Sequence, residues 1–268
     1  MSGRGYVSQR DLLQLDQRLS ERDRRIVKLI GDLKLVSGNQ VRRVVFEGAG
    51  TGRHDAQLAR RALLRLTRAG LLDRLERRVG GVKGGSDAFV FRLASHGARL
   101  VSFWNGGGLV RGRSWPEPGA RFVQHRLRVS ELYVRLSEAA AAGRLTLACY
   151  EAEPTCWRSF VGATIVRAVL KPDAFVRISV GRYDLWWMVE VDIGTVAQST
   201  RAAQAAAYRA YWHSGAAGEV MPRVLWLGST ERVVRRAALA IRPDREDGRL
   251  FVVAAYDEAV PVLAGGVT

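Results

Sequence analysis

Apolar positions in the first hundred residues recur at helical spacing in three separate runs, then switch to a strand-like pattern. Ile26, Leu29, Ile30, Leu33 and Val36 make the first stripe, opened by Ser20 as N-cap with Glu21 and Asp23 in its first turn. Ser37 opens a second, shorter helix carrying Val41, Val44, Val45 and Phe46 and closed by Gly48. A glycine-rich turn leads to a third helix over about His54–Ala69, with Gly70 as its C-cap. Leu71 to Leu75 then enter a hairpin with a glycine tip (Gly80 to Gly85) and a return strand from Ala88 to Leu93.

Breakers cluster between Asn105 and Ala120, including Gly106-Gly107-Gly108 and Pro116-Glu117-Pro118-Gly119. They predict a first domain over residues 1–104, a linker over 105–120 and a second domain over 121–268. Three helices followed by a hairpin is the order of a winged helix-turn-helix. Beyond the linker the pattern predicts a helix (Val123 to Ala142) and strands at Leu145–Tyr150, Val169–Ile178 and Leu185–Asp192. A helix (Ala197 to His213), a strand (Arg223 to Leu227), a helix (Glu231 to Ile241) and a strand (Leu250 to Ala255) follow. The expected fold class is α+β: a winged helix followed by an α/β domain with a mixed sheet. Trp186-Trp187 and Trp226, in apolar strands, are expected in its core.

Charge narrows this reading. The net charge is +16, and residues 1–115 carry 23 Lys/Arg against 10 Asp/Glu, a surplus of 13. Residues 116–268 carry 19 against 16, a surplus of only 3. A polyanion is therefore expected at the first domain. On the third helix, Leu58, Ala59, Ala62, Leu63, Leu66 and Ala69 form the packing side, and Gln57, Arg60, Arg61, Arg65 and Arg68 fall opposite. In a winged helix that outer side enters the major groove of double-stranded DNA, where arginine pairs with guanine and glutamine with adenine. Arg77, Arg78 and Lys83 on the hairpin suit phosphate or minor-groove contacts. The bland alternative is a solvated basic helix face.

Other chemistry is thin. Cys149 and Cys156 make neither a disulfide framework nor a metal set, and four scattered histidines lack zinc spacing. The triple glycine lacks the Gly-Lys-Ser/Thr of a phosphate loop. No apolar run reaches membrane-spanning length and the N-terminus does not read as a signal peptide, so a cytoplasmic protein with no membrane partner is expected.

Ser20-Glu21-Arg22-Asp23, Arg68-Ala69-Gly70-Leu71-Leu72, Phe89-Val90-Phe91, His125-Arg126-Leu127, Pro172-Asp173-Ala174, Glu190-Val191-Asp192-Ile193-Gly194-Thr195 and Tyr208-Arg209-Ala210-Tyr211-Trp212 occur in that order. This pattern resembles the replication-relaxation proteins over roughly residues 20–255. The resemblance implies a plasmid or mobile-element role in replication, DNA relaxation or transfer, with replication or transfer proteins and a second copy of the chain as candidate partners. The order of elements in the second domain is also similar to the core of PD-(D/E)xK nucleases. There, Asp173 and Glu190 on neighbouring strands would hold Mg²⁺, because a hard cation takes carboxylate oxygens, and Glu131 would offer a third. Asp192 stands where that motif has its lysine. The following helix offers Arg201 and, at the position of the family's usual lysine, Gln204; no lysine follows Lys171. The candidate catalytic set is thus Asp173, Glu190, Asp192 and Gln204. Three functions stay open: a DNA-binding factor with a degenerate nuclease domain, an active Mg²⁺-dependent endonuclease, and a winged-helix transcriptional regulator.

Overall fold

The structure of the protein, a computed structural model, describes residues 9–47, 52–78, 89–107, 117–162, 167–242 and 248–265. The chain divides into two compact units, Met1–Ser130 and Glu131–Thr268.

In the first unit, helices α1 (Gln9–Gln17) and α2 (Glu21–Leu33) precede a two-residue strand β1 (Val36–Ser37). Helices α3 (Gly38–Val45) and α4 (Gly52–Arg68), strands β2 (Leu72–Arg78) and β3 (Phe89–Leu93), and α5 (Ser95–Trp104) follow. Two serines fix where helices begin. Ser20 and Asp23 form a capping box on α2, and Ser37 and Gln40 form another on α3. Lys34 takes φ 72° and ends α2, so the apolar stripe does not continue as helix to Val36. Val36 instead pairs with Phe91 in a three-stranded sheet of order β1-β3-β2. Gly70, at φ 69°, ends α4 and turns the chain into β2.

Ile26, Ile30, Val41, Leu66, Leu71, Val90 and Leu100 are buried between the helices and this sheet. The hairpin tip at 79–88, with Lys83, lies outside the described residues. Arg77 and Arg78 lie on β2, and the described features of these two residues are limited to the backbone.

The unit boundary falls inside a single helix, α6 (Ala120–Ala141), rather than in the glycine–proline segment. The first half of α6 is core of the first unit: Val123 and Leu127 cluster with Leu35, Leu75 and Val90. Ser130 Oγ donates to Leu35 O at 2.6 Å, and Gln40 Nε2 donates to Leu127 O at 3.0 Å.

The second unit holds a five-stranded sheet of order β10-β9-β8-β7-β4. Its strands are β4 (Thr146–Ala152), β7 (Ala174–Val180), β8 (Tyr183–Asp192), β9 (Arg223–Gly228) and β10 (Phe251–Ala255). Pairing is antiparallel through β4, β7 and β8 and parallel through β8, β9 and β10, so the sheet is mixed. A separate antiparallel ribbon, β5 (Arg158–Val161) with β6 (Arg167–Leu170), stands between β4 and β7 in the chain. The strand anticipated over 169–178 is therefore two strands, broken at Lys171-Pro172-Asp173, where proline has no N–H for a ladder.

Phe175, Met188, Val224, Trp226 and Phe251 pack with Ala205, Tyr208 and Tyr211 of α7 (Gln198–His213) and with Ala237 and Ile241 of α8 (Glu231–Ile241). Trp187 points to the other face and donates to Leu263 O, 3.1 Å away in α9 (Ala259–Leu263). Trp187 and Trp226 are buried, as expected, and Trp186 is half-buried. Among the described residues no helix is long and apolar enough to cross a membrane.

One close approach in the first unit is testable. A Cβ at Gly97 would sit 2.1 Å from the carbonyl oxygen of Leu71, a backbone atom held in place by its own hydrogen bond from Ala94 N. Gly97→Ala is expected to destabilise the protein by about 1–3 kcal/mol, the usual cost of overpacking. Urea unfolding of the full chain checks this; an unchanged midpoint contradicts it.

Candidate functional site

Two polar constellations stand out, one in each unit. On α4 the buried positions are Ala59, Ala62, Leu63 and Leu66, with Asp55 buried in the first turn. Gln57, Arg60, Arg61, Arg65 and Arg68 are all exposed, with Leu64 among them. The helix thus presents one continuous face of four guanidiniums and an amide, as the spacing predicts. Arg65 differs from the other three. Its Nη2 lies 2.6 Å from Asp23 Oδ1, while Asp23 Oδ2 accepts from Ser20 N in the capping box of α2. Asp23 is buried and Arg65 keeps 60% of its side-chain surface exposed. One carboxylate therefore caps α2 and steadies an arginine on α4.

In the second unit β7 and β8 bring acids together near the start of α7. Asp173 precedes β7, and its Oδ2 accepts from Val191 N at 2.7 Å. Glu190 is buried near the end of β8. It accepts from Tyr208 Oη at 2.6 Å, and Gln204 Nε2 approaches its other oxygen at 3.4 Å. Glu153, just beyond β4, offers a carboxylate oxygen within 4.8 Å of one on Asp173, and its backbone N–H donates to Asp173 O at 3.2 Å. Burial pushes the Glu190 carboxyl well above the usual carboxylate range, and the negative charges of Asp173, Glu153 and Asp192 push the same way. Burial, then Glu190, raises the Tyr208 hydroxyl, which stays a donor. Cys156, against Pro172 O at 3.0 Å, is pushed up to about 12 by burial and by Glu153 and Asp173, which makes it a poor nucleophile.

Asp192 has a different occupation. Its Oδ2 meets Arg201 Nε at 2.5 Å in an ion pair almost wholly out of solvent, and its Oδ1 accepts from Gly194 N at 2.7 Å. Asp192 thus serves as the counter-ion of Arg201. Glu131 is ion-paired with Arg135 one turn along α6, at 3.6 Å. Glu153 and Tyr208 are the site residues that sequence reasoning passed over. Tyr208 lies one helical turn beyond Gln204, so it shares that face of α7. Glu153 follows Ala152, which ends β4 opposite Ala174, so register alone would have placed it beside Asp173.

Residues 27–224 match the family described as replication-relaxation. The chain belongs to the replication-relaxation family. The match runs from α2 into β9 and includes α4 and every acid of the cluster. No curated protein and no solved structure matches the chain.

In this replication-relaxation protein the crowding of Glu190 has a measurable consequence. A carboxyl whose pKa rises on folding holds its proton more tightly in the folded state. Its contribution to stability is intact below the ordinary carboxylate range and is lost as pH rises through the raised value. Stability of the native protein should therefore carry a component that falls with rising pH, and Glu190→Gln should flatten it and raise the melting temperature at pH 8. A variant that melts with the native pH profile would show that Glu190 carries no such cost.

Proposed function

We propose that the protein binds duplex DNA through a winged helix-turn-helix in its first unit, in the replication or relaxation of mobile-element DNA. The observation that carries this reading is the outer face of α4, where Arg60, Arg61, Arg65 and Arg68 stand exposed around Gln57 while Ala59, Ala62, Leu63 and Leu66 are buried opposite. Guanidiniums at this spacing reach guanine edges and phosphates of one groove, and exposed Leu64 suits a thymine methyl. The order α2, α3, α4, β2, β3 supports the winged-helix assignment, and the charge surplus of residues 1–115 supports a polyanionic partner. Family membership supplies the replication and relaxation context.

Arg60, Arg61 and Arg68 are the residues to test, because none of them carries the Asp23 pair. Replacing all three by alanine should weaken duplex binding at least tenfold near physiological salt. The slope of log affinity against log salt should shrink by about 0.9 for each phosphate that is no longer neutralised. A gel-shift titration with unchanged affinity and slope would refute the assignment.

A second reading is favoured by Glu153 and Asp173, with carboxylate oxygens within 4.8 Å of each other, and by Glu190, whose carboxyl their charges help to push up. Carboxylate oxygens suit Mg²⁺ or Mn²⁺, and a cation held there would offset the part of the rise at Glu190 that the neighbouring acids add to burial. Such a metal supplies an activated water and charge stabilisation at a phosphate. Against catalysis stands the lack of any lysine after Lys171 in the chain, with Arg201 committed to Asp192. Supercoiled plasmid incubated with Mg²⁺ or Mn²⁺ separates the cases. Nicking lost in Asp173→Asn and Glu190→Gln makes the protein an endonuclease. Calorimetric Mn²⁺ binding lost in the same variants, without nicking, leaves a metal-binding domain only, and neither signal removes the metal reading while leaving the duplex reading intact.

A further inference from the structure

The β5–β6 ribbon is unused by either reading. It occupies residues 154–172, between two members of the acidic cluster, and it is anchored at its base where Glu153 N donates to Asp173 O. Strand alternation gives it two unlike faces. Phe160, Leu170 and Ala168 turn inward to the apolar core, with Phe160 edge-on to Tyr211 at 5.4 Å between ring centres. Arg158 is held by Glu151 at 2.7 Å. The outer face carries Trp157, Ser159, Val161, Arg167, Val169 and Lys171, all exposed. The large apolar groups among them are uncovered: Trp157 is 37% exposed, Val169 45% and Val161 54%. Lys171 Nζ lies 4.8 Å from the Trp157 ring centre, and neither Lys171 nor Arg167 is in an ion pair among the described residues.

Charge says what covers this face. The 19 residues 154–172 contain three cations, Arg158, Arg167 and Lys171, and no acid. Arg158 is paired with Glu151, which leaves Arg167 and Lys171 as the charge of the outer face. We propose that the outer face of the β5–β6 ribbon holds an unpaired DNA strand, separately from the duplex contact of α4. Trp157 offers a stacking platform for one base, Val161 and Val169 take the apolar faces of others, and Arg167 and Lys171 meet the phosphates. The cations sit four residues apart, about 13 Å along the ribbon by the rise of a strand. Paired bases expose only their edges to a protein surface, so an indole and two valines find flat partners only where bases are unstacked. The proposal does not depend on the duplex reading of α4.

Fluorescence anisotropy with a labelled 20-nucleotide oligo-dT and, separately, a labelled duplex tests it on the full chain. Trp157→Ala and the double variant Arg167→Gln/Lys171→Gln should each lose about tenfold in oligo-dT affinity, with duplex affinity within twofold of native. The Arg60→Ala/Arg61→Ala/Arg68→Ala variant should show the converse. All substituted side chains are solvent-exposed, and native-like melting confirms that each variant folds. Oligo-dT affinity unchanged in both ribbon variants overturns the proposal and assigns the face to a protein partner. Equal losses on oligo-dT and duplex overturn it as well, because the ribbon would then be a general phosphate contact.

Discussion

A carboxylate taken out of water must have its oxygens satisfied or give up its charge, and both units are organised by how that constraint is met. In the first unit Asp23 splits its two oxygens between the N-terminus of α2 and Arg65 of α4. The pairing ties the start of one helix to the exposed face of another. In the second unit the solutions diverge along β8. Asp192 satisfies its two oxygens with Arg201 and a backbone N–H. Glu190, two residues earlier on the same face, has only a hydroxyl and an amide, and is pushed toward its neutral form. Neighbouring acids on one strand thus meet different environments because their partners on α7 differ by type.

This division bears on the proposed contact with DNA. A net positive protein attracts phosphates over its whole surface, but a cluster of ionised acids repels them locally. The upward push on the Glu190 carboxyl, the pairing of Asp192 with Arg201 and the cations of the ribbon each act to reduce that local repulsion.

Much of this was legible in the sequence where the signal is local. Ser20 and Ser37 mark helix starts because a cap needs only its own next three residues, and Gly70 marks an end because few other residues accept its φ. The alternation that brings Glu190 and Asp192 to one face is likewise a property of a single strand. What escaped reading depends on distant partners. Val36 leaves the helical stripe to pair with Phe91, more than fifty residues away. Val123 and Leu127 continue the core of the first unit although breakers precede them. Glu153 becomes a site residue only once β4 is set against β7, and Pro172 splits a run of apolar residues that periodicity alone reads as one strand.

The hydrogen bond between Glu153 and Asp173 closes the chain on itself at the foot of the ribbon. Everything between those two residues is a closed excursion whose ends stay together whatever its length, and lengthening such a loop costs little chain entropy. The segment can be extended, trimmed or exchanged for another hairpin that keeps apolar residues at the positions of Phe160 and Leu170, and the acids at its foot hold their register. The ribbon is thus the part of this domain most open to change in reach and preference, a replaceable attachment on a fixed mount.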